Sequence, residues 1–152
     1  MLIQNYCRLL TLIFILASSL FFTACQGDPT PVTPKGDPIE AAREFMSALY
    51  EGDTDRCRAL SSREVRDSVG QICQSFNEES AAASIDLSET TFEVISTQTA
   101  VVTITMSGRW TIRAVAPNGE AKEEIHDSST ESPITFDMIY EDDHWRFHGF
   151  VE

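Results

Sequence analysis

The spacing of apolar residues after Asp37 predicts an amphipathic helix that ends at Gly52. Asp37 is a residue type that caps helix N-termini, Pro38 suits the first turn, and Gly52 stops the helix. The predicted buried face consists of Ile39, Ala42, Phe45, Met46 and Leu49.

Two further helices are predicted before the pattern changes. A short one follows Asp53 and turns Cys57 and Leu60 inward. Ser61 and Glu64 form a capping-box pattern for a third helix. The buried face of this helix, which runs to about Glu79, is predicted to consist of Val65, Val69, Ile72, Cys73 and Phe76.

After residue 80 apolar positions alternate with polar ones, which is typical of strands with one buried face. Phe92 and Val94 open one strand, and a long alternating run follows. Its inward positions are Val102, Ile104, Met106, Gly108, Trp110, Ile112 and Ala114. The run is too long for an average strand, and Gly108 near its middle favours a bend or bulge.

Turn signals divide the rest of the chain into further antiparallel strands. Pro117-Asn118-Gly119 favours a hairpin turn, after which the return strand runs from about Ala121 and breaks at residues 128–133. It resumes with four inward side chains: Ile134, Phe136, Met138 and Tyr140. A turn at residues 141–143 precedes a last strand with inward Trp145, Phe147 and Val151. Three helices followed by a curved meander predict an α+β fold, with the helices covering one face of the antiparallel sheet.

An apolar stretch with one positive charge before it opens the chain. Arg8 precedes uncharged residues 9–24, which have the length of a secretory signal and are short for a membrane crossing of about 20 residues. The sequence Phe22-Thr23-Ala24-Cys25 resembles the lipobox of bacterial lipoprotein precursors, with Phe22 in place of the usual leucine. The alternative is an uncleaved signal anchor, in which Cys25 is an ordinary thiol.

The lipobox resemblance implies a signal peptide over residues 1–24 and a diacylglycerol thioether on Cys25. It also implies that the new amino terminus is acylated, with palmitate as the typical chain. Gln26, in place of the Asp associated with inner-membrane retention, favours the outer membrane where the cell has one. We therefore expect a lipid-anchored protein that faces outside the cytoplasm, on the cell membrane or the outer membrane.

Residues 25–37 form a proline-rich linker, which disfavours helix and lifts the domain at 38–152 up to roughly 35–40 Å from the lipid. The 152 residues, 42% hydrophobic and 23% charged, suit one globular domain. The formal net charge is −13, and loss of Arg8 with the signal leaves 10 − 24 = −14. This charge argues against nucleic-acid binding and against electrostatic attraction to an anionic membrane.

Two of the four cysteines are free to pair in the mature chain, because Cys7 leaves with the signal and Cys25 carries lipid. Cys57 and Cys73 then form a natural disulfide in an oxidising compartment. Closing a loop of about 15 residues contributes about 3 kcal/mol in the chain-entropy description. Two buried thiols are the main alternative; catalytic or metal-binding use is the remaining one.

Residues 45–55, FMSALYEGDTD, resemble the first-helix signature of the nuclear transport factor 2-like superfamily, in which an apolar helix ends in a Gly-Asp turn. The resemblance covers roughly residues 37–152 and is closest to a poorly characterised lipoprotein branch. It implies an α+β cone, with a pocket between the first helix and the concave sheet face. The implied lining is Phe45, Met106, Trp110, Phe136, Met138 and Tyr140. The alternative is that all six belong to the core, since a small domain needs most of its apolar residues for stability.

Some members of this superfamily are isomerases that combine a carboxylate base with phenol donors in an apolar pocket. Asp67 lies roughly where that base is expected, but the donor position in the first helix is Phe45 and Tyr50 is a poor substitute. His144 and His148 are about 13 Å apart on a strand, too far to share one zinc, and an exposed His126 is expected. We predict no cofactor and no metal site, and Glu141-Asp142-Asp143 is interpreted as a charged hairpin tip.

The predicted function is a membrane-anchored lipoprotein whose cone domain binds without catalysis. Its ligand is a small apolar molecule in the cone or another envelope protein on the outer sheet face. One alternative is a homodimer formed through the open sheet face, which carries Thr103, Thr105, Thr111 and Arg113. Another alternative is an isomerase or hydrolase that uses Asp67.

Overall fold

The structure is a computed structural model that describes residues 33–151. The predictions of a signal peptide, of a lipid on Cys25 and of most of the linker concern residues outside this range. None of the helices between residues 33 and 151 combines the length and the apolar character that a membrane crossing requires.

Three helices precede the sheet, as predicted: α1 (Pro38–Glu51), α2 (Thr54–Leu60) and α3 (Arg66–Glu79). The Asp37 carboxylate accepts a hydrogen bond from the Ile39 N–H at 2.9 Å, which satisfies one free donor of the first turn. Gly52 ends α1 in the left-handed region at φ 68°. The predicted limits of α1 are therefore confirmed.

The capping box predicted for α3 is wrong. The Ser61 hydroxyl donates to the Cys57 carbonyl at 2.7 Å, and Ser61 is the residue that ends α2. The next residue, Ser62, donates its N–H to the Phe147 carbonyl at 2.9 Å, which draws this segment onto the last strand. Helix α3 therefore begins later, after Val65, with no side-chain cap.

The buried face of α3 is narrower than predicted. Val69 and Cys73 are buried, whereas Ile72 is 43% and Phe76 36% exposed. The reason is that α3 packs mainly against α1 and α2, so only a narrow stripe of its surface is covered.

Six antiparallel strands form one sheet around the long strand β3. They are β1 (Ala82–Asp86), β2 (Thr90–Gln98), β3 (Val101–Val115), β4 (Ala121–Asp127), β5 (Ile134–Glu141) and β6 (His144–Phe150). β1 and β2 pair with one edge of β3, β4 and β5 pair with the other, and β6 pairs with β5. With the three helices on it, this sheet makes the α+β cone that the sequence predicts.

Gly108 divides this sheet into two halves. We call β2, β5, β6 and residues 101–106 of β3 the first half, and β1, β4 and residues 109–115 of β3 the second half. Gly108 has φ 96°, and the Arg109 N–H beside it donates to the Glu89 carbonyl at 3.1 Å. The bend predicted at this glycine is confirmed.

Two strand predictions need correction. The alternating pattern did not identify β1, because Ile85 is its only large apolar residue. Val151, predicted to face inward, lies beyond β6 and is 43% exposed, because a bulge opposite Asp137 shifts the register near Gly149. The remaining turns occur where they were predicted, at residues 117–119, 128–133 and 142–143.

The core lies between α1 and the concave face of the first half of the sheet. The ring of Phe45 on α1 stacks on Phe147 of β6, with centroids 4.0 Å apart and planes 6° apart. The residues around this pair that are completely buried are Met46, Ile104, Met106, Phe136 and Met138. This packing holds α1 against the sheet.

Cys57 of α2 and Cys73 of α3 form a disulfide, with their Cα atoms 6.6 Å apart. Both residues are completely buried. The predicted disulfide is therefore present, and the alternative of two free buried thiols is not.

Candidate functional site

Five of the six residues predicted to line a pocket belong to the hydrophobic core. Phe45, Met106, Trp110, Phe136 and Met138 are at most 2% exposed, and Tyr140 is half-buried against them. Four cavities of the domain are lined by other residues. A pocket formed by this set of six stays a prediction.

A cavity of about 160 Å³ opens between the helices and the second half of the sheet, and we call it the mouth cavity. Tyr50 at the end of α1 and Phe76 of α3 form its helical wall, with their rings in edge contact at 5.7 Å. Ile112 and Ala114 of β3 form its floor. An engineered apolar cavity of about 150 Å³ holds benzene, so this space suits a small apolar group.

Polar side chains surround the apolar interior of the mouth cavity. Lys122 and Glu124 of β4 lie on its rim, with the lysine Nζ 3.7 Å from the carboxylate. Burial raises the pKa of the Tyr50 hydroxyl above its ordinary value of 10.0, and the indole N–H of Trp110 beside it partly offsets this rise. Tyr50 is therefore neutral at physiological pH and keeps a proton to donate.

Trp110 lies between Tyr50, which lines the mouth cavity, and a charged cluster formed by β4 and the segment that follows it. Its indole N–H is buried and lies beside the Tyr50 hydroxyl, but no acceptor among the described residues is placed in good hydrogen-bond geometry to it. Its ring stacks on His126, with centroids 5.4 Å apart. His126 Nδ1 lies 3.0 Å from Glu131 and its Nε2 lies 3.3 Å from Glu124. The predicted exposed histidine is thus largely covered and lies between two carboxylates.

The largest of the four cavities, about 500 Å³, lies at the opposite end of α1, where the linker meets the domain. Its walls include Lys35, the first turns of α1 with Glu40, and the β5–β6 turn with Asp143 and Trp145. The remaining two cavities, of about 420 and 210 Å³, lie on the second half of the sheet.

Asp67 lies on the surface, in the first turn of α3, and lines none of these four cavities. Phe45, which the sequence resemblance placed where the isomerases carry a tyrosine donor, is stacked in the core. The geometry gives no support for Asp67 as a base in an apolar pocket.

His148 lies between a serine hydroxyl and a carboxylate, which is the order of groups in a serine–histidine–acid catalytic triad. His148 Nδ1 lies 3.0 Å from the Ser62 hydroxyl, and its Nε2 lies 3.8 Å from the Glu64 carboxylate. Ser62 is only 3% exposed and lines none of the four cavities, so a substrate has no route to its hydroxyl. The contact joins the α2–α3 connection to β6.

The third histidine, His144, contacts the Asp142 carbonyl at 2.8 Å and does not share a partner with His148. Within residues 33–151, no three His, Cys, Asp or Glu side chains are grouped so that they could hold a metal ion. The Glu141-Asp142-Asp143 tip is partly neutralised by Arg63, whose guanidinium lies 2.6 Å from Asp142.

The outer face of the sheet carries hydroxyl and charged side chains together with the exposed Ile125 and Val115. Thr103 donates its hydroxyl proton to Asp137 at 2.6 Å, and the hydroxyl of Thr105 lies 3.2 Å from that of Thr135. On the second half, Arg113 pairs with a carboxylate on each neighbouring strand, at 2.8 Å from Glu123 and 3.8 Å from Asp86. Thr111 lies on the same face, between these two strands.

Tyr50, which the sequence indicated only as a poor substitute donor, lines the mouth cavity. Tyr50 follows Met46 by four residues and therefore lies on the same face of α1, a spacing that could have placed its ring beside the sheet. Its ring contacts Phe76 of α3, and its hydroxyl lies beside the indole of Trp110 of β3. The spacing of residues within a single helix or strand could not indicate a contact between three separate elements.

No protein-family model matches the chain, and no curated protein matches it. Among solved structures, the chain is similar to one described as a calcium/calmodulin dependent protein kinase II association domain from Xanthomonas campestris. The identity is 14%, the TM-score is 0.50, and the match covers 74% of this chain and 84% of that chain. The likeness establishes the fold, an α+β cone of the nuclear transport factor 2 type.

Proposed function

We propose that this protein is a bacterial lipoprotein, held outside the cytoplasm by acyl chains on Cys25, whose cone domain binds a ligand without catalysing a reaction. The lipobox-like residues before Cys25 support the anchor. Two or more acyl chains hold a protein stably at a membrane, at about 0.8 kcal/mol per buried methylene. Gln26 favours the outer membrane over the cell membrane.

The mouth cavity is the observation that carries the binding role. Its lining combines aromatic and aliphatic side chains with a serine and two charged residues, and it is bordered by a neutral phenol, Tyr50. Ligand sites combine such an apolar lining with a few polar groups that fix orientation. Its small volume restricts the ligand, or the part of the ligand that enters, to about the size of one ring.

Two positive observations favour binding over catalysis. Asp67, the candidate base, is exposed to solvent and does not line the mouth cavity. Ser62, the hydroxyl beside a histidine, is covered by the fold. Neither group lies where it could contact a molecule bound in the mouth cavity. General-base and nucleophilic catalysis both require direct contact between the catalytic group and the substrate.

The anchor is tested by the intact mass of the full chain after detergent extraction from bacterial membranes. We expect a protein that begins at Cys25 and carries acyl mass. Cys25→Ser should abolish the acyl mass and leave the precursor uncleaved, whereas the control Cys7→Ser should change neither. A purified product that begins at Met1 without acyl mass contradicts the proposal.

The binding role is tested by native mass spectrometry of the same material. We expect a retained small molecule in the wild type and its loss in Ala114→Leu, which fills the floor of the mouth cavity. The control Ala81→Leu adds the same side chain at an exposed position that does not line this cavity. An empty cavity in wild-type protein from its own cell contradicts small-molecule binding.

Self-association through the outer sheet face is the second candidate. It is supported by the description of the similar Xanthomonas structure as an association domain, and by the open face that carries Thr103, Thr105, Thr111 and Arg113. Light scattering should then show a dimer that Thr105→Glu dissociates and the control Ser129→Glu preserves. A monomer at all concentrations leaves another envelope protein as the partner for this face.

A further inference from the structure

The disulfide lies where a thiol reagent has no access. Cys57 and Cys73 are both completely buried and belong to the hydrophobic core cluster. Beside them α2 and α3 approach closely, because Gly70, three residues before Cys73, faces the side chain of Arg58, the residue after Cys57. The bond is therefore covered both by the core and by the contact between the two helices.

Thiol–disulfide exchange requires that a donor reach the cysteine sulfurs, and the folded domain covers both of them. A disulfide forms when a thiolate attacks the sulfur of a donor disulfide, and the rate depends on whether the two sulfurs can approach. In the folded domain neither cysteine sulfur can meet a donor. The bond must then be made while the chain is still open.

We infer that the Cys57–Cys73 bond is made before the cone closes, by exchange with a protein or small-molecule disulfide donor outside the cytoplasm, and is afterwards inert. One cysteine thiolate attacks the donor and forms a mixed disulfide, and one donor thiolate leaves. The second cysteine thiolate attacks that mixed disulfide, forms the Cys57–Cys73 bond and releases the second donor thiolate. The chain loses two protons and two electrons, and the donor disulfide is reduced to two thiols.

The order of the chain favours this sequence of events. Both cysteines lie within the first 73 residues, whereas the sheet that supplies most of the core begins at Ala82. During export from the amino terminus, which rests on the proposed function, both thiols emerge before any strand. A donor therefore meets them when the core does not yet exist.

The oxidation state of Cys57 and Cys73 then indicates the compartment in which the chain folded. A chain that folds in a reducing cytoplasm buries both thiols as thiols and stays reduced after later exposure to an oxidant. An oxidised native protein thus records that a donor acted before folding. The bond stabilises the fold permanently and does not act as a redox switch.

The experiment uses the full chain extracted from membranes with detergent. The pair is reduced in denaturing urea, the dithiol protein is refolded under reductant, and oxidised glutathione is added with and without urea. Maleimide adducts counted by mass follow the remaining thiols. We expect the folded dithiol to oxidise at least about 100-fold more slowly than the unfolded one, because oxidation then needs a local opening.

Each outcome has a defined meaning. A reduced chain that fails to regain its native near-ultraviolet circular dichroism supports the inference, because the bond must then precede folding. A folded dithiol that oxidises within about threefold of the unfolded rate overturns it. An exposed thiol in Ser129→Cys, placed in a Cys57→Ala/Cys73→Ala chain, should react at one rate with and without urea. A maleimide adduct on Cys25 would mean that this cysteine carries no lipid. It would contradict the proposed anchor and leave the inference about the disulfide untouched.

Discussion

The two halves of the sheet, on either side of Gly108, differ in how the helices cover them. In the first half the inward residues Ile104, Met106 and Phe136 are completely inaccessible. In the second half Ile112 and Ala114, at equivalent inward positions of the same strand, are only half-buried and line the mouth cavity. One alternating strand thus provides both the core and the wall of a cavity.

The helices explain this difference. Phe45 and Met46 of α1 pack on the first half, whereas Tyr50 in the last turn reaches the second. Helix α3 contributes only the half-exposed Phe76 above the mouth cavity. We therefore expect substitutions in the first half to affect stability and those in the second half to affect ligand binding.

The largest expected effect is that of Phe136→Ala in the first half. Phe136 is completely buried and contacts the Phe147 ring at 6.0 Å, so truncation should leave a cavity and cost about 3–5 kcal/mol of unfolding free energy. Its register partner Phe150 is 50% exposed, and Phe150→Ala should cost only about 1 kcal/mol. Urea unfolding measures both, and equal costs contradict the complete burial of Phe136 in the core.

The boundary between the halves is tested by Gly108→Ala. A Cβ at Gly108 would lie 2.5 Å from the Glu89 carbonyl oxygen, and φ 96° is unfavourable for alanine. We expect a loss of about 2–4 kcal/mol in urea unfolding. Gly119→Ala also has positive φ, 84°, but meets no atom within 4 Å, and should cost only about 1–2 kcal/mol. Equal losses mean that the bend tolerates a side chain.

Much of the fold was predictable because its signals are local. The cap at Asp37, the stop at Gly52 and the bend at Gly108 depend on the conformational preferences of single residues, and the structure confirms all three. The exposure of Ile72 and Phe76 was not predictable. It depends on which elements cover α3, and the helical spacing is the same whether a neighbour is present or not.

The candidate site was less predictable than the fold for a related reason. Sequence spacing identified inward positions, but it could not distinguish those that α1 covers, such as Met106, from those that it leaves open, such as Ile112. Tyr50 gains its role from rings on α3 and β3. Contacts between distant elements decide which apolar residues form the core and which line a cavity.

A smaller effect of opposite sign is expected in the first half from Tyr140→Phe. The Tyr140 hydroxyl is buried and has no hydrogen-bond partner among the described residues, while its ring contacts Trp145 at 5.4 Å. Removing an unsatisfied buried hydroxyl and keeping the ring should stabilise the fold by about 1 kcal/mol. Thermal unfolding measures the change. A loss of stability shows that the hydroxyl has a partner, such as an ordered water.

The smallest expected effect is a pH dependence in the second half. Burial, with the nearby Glu124 and Glu131, raises the pKa of Tyr50 above 10.0, and the Trp110 N–H offsets only part of this rise. The fold therefore favours the neutral phenol. Below about pH 10 the phenol is neutral in both states and the stability is complete. As the pH rises above this value, Tyr50 ionises in the unfolded chain before it ionises in the folded one. The free energy of unfolding therefore decreases until the pH passes the pKa of Tyr50 in the folded state.

Tyr50→Phe removes this contribution and keeps the ring against Phe76. Urea unfolding at a series of alkaline pH values should therefore show a shallower loss of stability in the variant than in the wild type, with parallel curves near neutral pH. The absorbance of tyrosinate should rise later in the folded wild type than in urea. Identical alkaline slopes mean that the Tyr50 hydroxyl is as well solvated in the fold as in the unfolded chain. The second half of the sheet would then be open to water beyond the mouth cavity, and the phenol would not be a desolvated donor for a ligand.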